Sequence, residues 1–74
     1  MGWSGGSILL EDVVRAIEKC FDAEEYHEEL VSVYEELIDL FENCDADTLD
    51  EIIGASESLD QAFRNVRPEF FEVD

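Results

Sequence analysis

The sequence predicts an all-α fold, a compact bundle of three to four helices with the second the longest. Three observations carry that expectation. Apolar residues recur at intervals of three and four along most of the chain, the spacing of one face of a helix. Cap residues and helix breakers fall between these stripes, and no stretch shows the apolar/polar alternation of a half-buried strand. Hydrophobic residues make up 46% of the 74, with five Phe, two Tyr and one Trp. That content excludes a disordered acidic tail, which would have too little to bury. The length suits a single domain near the lower limit for one core.

Residues 1–6 form a Gly/Ser-rich opening that contains Trp3. Ser7 offers an N-cap hydroxyl, with Glu11 and Asp12 near the positive end of the helix that follows. Leu10, Val13, Val14, Ile17, Cys20 and Phe21 then trace an amphipathic helix from about Ile8 to Phe21. Asp22-Ala23-Glu24-Glu25 has the form of a capping box. It predicts a second helix from about Ala23 to Glu42, with Tyr26, Leu30, Val33, Tyr34, Leu37 and Phe41 on its inner face, widened by Val31 and Ile38.

Asn43-Cys44-Asp45 reads as a turn. Asp47 can cap a short third helix holding Leu49, Ile52 and Ile53 and stopped by Gly54. Ser58-Leu59-Asp60-Gln61 again resembles a capping box. A fourth helix follows, burying Leu59, Ala62, Phe63 and Val66, and ends near Arg67 because Pro68 disfavours helix in the residue before it. Residues 68–74 are a tail. Its Phe70 and Phe71, together with Trp3, are candidates to cover the core or to form a homodimer contact.

Charge is the dominant feature. Twenty-one Asp and Glu stand against Arg15, Lys19, Arg64 and Arg67, a net −17. Solubility asks for a net charge of about 2–8 in magnitude, and the excess works against compactness by self-repulsion. The simplest second reason for it is attraction to a basic partner. Direct binding to nucleic acid or to an anionic membrane is disfavoured, because almost no cation is present to meet a phosphate. The longest apolar run near the start is Ile8-Leu9-Leu10 with no basic region before it, so no secretory signal or membrane span is expected and the chain reads as cytoplasmic.

Fifteen acidic residues and no Lys or Arg lie between Lys19 and Arg64. Glu24, Glu25, Glu28, Glu29, Glu35, Glu36, Asp39 and Glu42 fall on the predicted second helix, opposite its apolar stripe. As one helix this segment spans roughly 28 Å, one carboxylate per about 3.6 Å against one phosphate per about 3.4 Å in a DNA strand. Ordinary solvated helix faces mix charge signs, since Glu-to-Lys pairs four apart stabilise a helix and like pairs do not. Asp45, Asp47, Asp50 and Glu51 extend the acidic run. These twelve residues are the candidate partner-binding set.

No motif points to catalysis or to a cofactor. Counted from Asp45, the EF-hand pattern fails, with Leu49 at position 5, Asp50 at position 6 and Ser56 at position 12. His27 is the only histidine, and no nucleophile and orienting group can be assembled around it. Cys20 and Cys44 lack the spacing of a zinc site and are expected as reduced thiols in or near the core. No metal or cofactor is expected, and no enzyme.

The opening Met1-Gly2-Trp3-Ser4-Gly5-Gly6, an amphipathic helix, and Asp45-x-Asp47-Thr48-Leu49-Asp50-Glu51 together resemble a group of small acidic proteins encoded by phages and bacteria. That resemblance implies a phage counter-defence role without enzymatic activity, including anti-CRISPR inhibition by DNA mimicry. It carries over no functional residue. The expected function is a non-catalytic inhibitor that occupies the basic nucleic-acid-binding surface of a CRISPR effector or nuclease. The alternative is a helical interaction or homodimerisation module of immunity type, which uses an apolar surface and carries its acidity for solubility.

Overall fold

A computed structural model describes residues 5–44 and 49–71 of the chain. Within them the order is α1 (Gly6–Cys20), α2 (His27–Asn43), a 3₁₀ turn (Leu49–Ile52), α3 (Glu57–Val66) and a second 3₁₀ turn (Pro68–Phe71). The all-α expectation holds, and α2 is the longest helix at 17 residues. Asp45, Asp47 and Trp3 lie outside the described residues.

The helix starts depart from the sequence expectation, each for a local reason. Ser7 does not cap α1, because the helix begins at Gly6 and Gly5 precedes it without a side-chain cap bond. Ser7 instead shares the buried stripe of Leu10 and Val14, three and seven residues on. The second helix starts at His27 rather than near Ala23. Asp22 spends its carboxylate two residues on, where Oδ1 accepts from the Glu24 amide at 2.9 Å, and the Tyr26 amide donates to the Asp22 carbonyl at 2.9 Å. This Asx turn competes with a capping box for the same side chain.

The third predicted helix is a 3₁₀ turn that keeps Leu49 and Ile52 buried. Gly54 ends it at φ +99°, a left-handed conformation that glycine adopts freely. Ser56, not Ser58, caps α3, its Oγ accepting from the Leu59 amide at 3.3 Å. Ser58 is buried, with its hydroxyl 2.9 Å from His27 Nδ1. The expected stop before Pro68 is found, with Arg67 as the C-cap.

The core gathers Leu10 and Val14 of α1, Leu30, Val31, Tyr34 and Ile38 of α2, Leu49 and Ile52 of the turn, and Leu59, Ala62 and Phe63 of α3. Helix α2 packs chiefly on α3, and α1 on the Leu49–Ile52 turn, while α1 and α2 meet at few points. Phe70 lies against Phe63 with ring centroids 5.5 Å apart, and the Arg64 guanidinium sits 4.9 Å over the Phe71 ring. Both tail phenylalanines thus cover the core. Cys20 and Cys44 are exposed free thiols, so Cys20 is not the core thiol its spacing suggested.

Candidate functional site, an acidic helix beside an apolar groove

The later start of α2 divides the predicted acidic set. Glu24 and Glu25 sit, exposed, in the turn before the helix rather than on it. Glu28 and Glu29 fall in its first turn, where the exposed amide ends favour negative charge. At about 100° per residue, Glu28, Glu35, Asp39 and Glu42 share an arc of about 60°. That flank faces α3: Asn65 Nδ2 donates to Glu35 Oε2 at 2.6 Å, and Arg67 Nη2 lies 3.6 Å from Asp39 Oδ1. Arg67 also binds both carboxylate oxygens of Glu42, with its Nε donating to Oε2 at 3.1 Å. This bidentate contact, first through its hydrogen bonds, raises the Arg67 pKa further above its usual value.

This flank alone carries four carboxylates along about 22 Å of helix, one per about 5.6 Å, a lower linear density than that of a phosphate strand. Counted as in the sequence, all six carboxylates that remain on α2, Glu28, Glu29, Glu35, Glu36, Asp39 and Glu42, still give one per about 3.8 Å. The loss of Glu24 and Glu25 shortens the acidic face rather than thinning it. Glu29 and Glu36, seven residues apart and exposed, lie about 100° further round the helix from that arc. Asp50 and Glu51 are exposed in the 3₁₀ turn, separate from the α2 flank in the chain. Glu18 faces inward instead: its Oε2 accepts from Tyr34 Oη at 2.8 Å and from Ser56 Oγ at 2.5 Å, tying α1 to α2 and to the cap of α3. Burial first, then this hydrogen bond and the negative charge of Glu18, push the Tyr34 hydroxyl pKa well above its ordinary value.

The side chains that the sequence assigned wholly to the core are split. Leu30, Val31, Tyr34 and Ile38 are buried, whereas Tyr26 and Val33 are exposed, at 40% and 45%; Leu40, which the sequence did not assign to the inner face, is 57% exposed. Where α1 and α2 meet at few points, an open groove of about 390 Å³ lies between them, lined by Ile17, Phe21, Tyr26, Glu29, Leu30 and Val33. Phe21 and Tyr26 close one end edge to face, with ring centroids 5.7 Å apart. This groove was missed in the sequence, although a signal for it exists. Tyr26, Leu30, Val33, Leu37 and Leu40 are spaced 4-3-4-3, a heptad seam offset from the buried stripe.

His27 and Ser58 are in contact, but Ser58 is 1% exposed, so its hydroxyl is not presented to a substrate. Among the described residues no group of three or more His, Cys, Asp or Glu could hold a metal ion, and no helix is long and apolar enough to cross a membrane. Comparison with protein-family models, with curated proteins and with solved structures finds no match to this chain.

Proposed function

We propose that the chain is a non-catalytic binding protein that occupies the basic surface of a protein partner, as an inhibitor of a nucleic-acid-binding protein does. The observation that carries this reading is the single sign of the exposed charge along α2 and the turn before it. Glu24, Glu25, Glu28, Glu29, Glu36 and Asp39 are exposed there. Among the described cations, Arg15 is ion-paired to Glu11 on α1 and Arg67 to Glu42 and Asp39. The net −17 adds a long-range field that speeds encounter with a basic surface. A CRISPR effector or another nuclease is the target class that the resemblance to small phage and bacterial proteins favours. A cytoplasmic setting belongs to the same proposal.

The test is capture of basic nucleic-acid-binding proteins from host lysate at low salt, with wild type beside a variant carrying Glu28→Lys, Glu29→Lys, Glu35→Lys and Glu36→Lys. Loss of capture with unchanged helicity supports the reading, and unchanged capture refutes it. The apolar groove favours a second reading, an interaction or homodimerisation module whose acidity serves solubility. Salt separates the two, since apposed charges are screened over about 8–10 Å while an apolar contact holds or tightens.

A further inference from the structure

We propose that the groove between α1 and α2, with the exposed edge of α2 that continues from it, receives a basic amphipathic helix of a partner protein. The inference rests on the acidic-binder reading and adds to it the shape and chemistry of what is bound.

The seam Tyr26, Leu30, Val33, Leu37 and Leu40 follows the 4-3 alternation by which one helix packs along another. It runs for about 21 Å, four turns of a docked helix. Two of its residues are already engaged within the fold, Leu30 buried and Leu37 packed against the core. The outer three are left uncovered by the described residues: Tyr26, Val33 and Leu40 remain 40%, 45% and 57% exposed beside the open groove. An apolar helix face laid in such a groove is a recurring mode of peptide recognition. The pocket walled by Ile17, Phe21 and Leu30 would take the large apolar anchor of the incoming helix.

Charge selects the occupant. Glu29 lines the groove and Glu36 follows it seven residues on, the interval at which flanking residues of a heptad seam pair with charges on the facing helix. Lys or Arg flanking the partner's apolar stripe would meet them. A second copy of this chain would instead bring another −17 against the same edge, with Glu29 and Glu36 repelled by like charges. The rim therefore favours a basic helix over self-association.

The test uses the full chain and two labelled peptides of about eighteen residues. Both are made of the same numbers of Leu and Lys. One has Leu at the a and d positions, and in the other the order is scrambled so that the leucines surround the helix. Fluorescence anisotropy at physiological ionic strength should show the patterned peptide binding at least about tenfold tighter. Methyl NMR shifts should centre on Ile17, Leu30 and Val33. The charge-neutral variant V33S/L40S, altered only at exposed positions, should lose about tenfold for the patterned peptide and little for the scrambled one. Equal binding of both peptides overturns the groove inference and leaves the acidic-binder reading standing. Binding of neither sinks that reading and the inference with it. A homodimer in sedimentation that V33S/L40S dissociates would make a second copy the occupant and overturn the proposal.

Discussion

Replacing Tyr34 with Phe isolates a single hydroxyl whose contribution depends on pH in a predictable way. The ring is fully buried, and its Oη donates to Glu18 at 2.8 Å. A hydrogen bond to a charged group contributes roughly 1.5–3 kcal/mol. Ser56 remains bonded to Glu18 after the substitution, so the lower part of that range applies, about 2 kcal/mol at pH 7. The folded-state pKa of Tyr34 is raised, so this stability is present in full below the unfolded tyrosine value of about 10. Above that value the unfolded chain releases a proton that the folded protein retains, and stability falls by about 1.4 kcal/mol per pH unit. The advantage of wild type over Tyr34→Phe should therefore vanish near pH 11.5, about 1.5 units above the unfolded value. Urea unfolding followed by circular dichroism, on both proteins from pH 7 to pH 11.5, reads the difference directly. Groups shared by the two proteins cancel in it. Equal stability at pH 7, or a gap that stays constant into alkali, would refute the argument.

Other substitutions probe the joints of the fold. Gly54→Ala should cost about 1–2 kcal/mol in denaturant unfolding. No atom lies within 4 Å of the added carbon, so that cost is backbone strain at positive φ alone. Ser56→Ala removes the α3 cap and a bond to Glu18, and should cost about 1–2 kcal/mol by the same assay. Arg67→Met separates α3 from the end of α2. At a partly exposed ion pair, a loss of about 1 kcal/mol that shrinks in high salt is expected. Wild type should gain thermal stability on addition of salt, because −17 of self-repulsion is screened, and a melting temperature that falls with salt would contradict this.

The fold class was legible because the stripes Leu10/Val14, Leu30/Tyr34 and Leu59/Phe63 are helical in period and do form the core. Capping chemistry was less legible. Asp22, Ser56 and Ser58 each have a side chain that can bond in more than one local geometry, and tertiary contacts decide between them: Glu18 engages Ser56, while burial beside His27 takes Ser58. The acidic candidates were readable as residues but not as a surface. Glu24 and Glu25 look helical in the sequence, and only the Asx turn at Asp22 removes them from α2. The groove escaped because Tyr26 and Val33 satisfy the helical period as well as any core residue. Whether such a side chain is covered depends on how closely α1 approaches α2, a tertiary contact that the 4-3 spacing hints at but does not fix.

The molecule measures 37 × 27 × 17 Å, and a helix with its side chains is about 10–12 Å across. Packed helices interlock with their axes about 8–10 Å apart, so the thin dimension holds two helix layers and no third. A docked partner would add a third layer over the edge of α2 that two layers leave open. Occupancy and folding are then coupled: a ligand at a hundred times its Kd adds about 2.7 kcal/mol to the stability of the folded state. For so slight a slab that is a large fraction of the whole, so the upward shift in melting temperature is itself a practical screen for the partner.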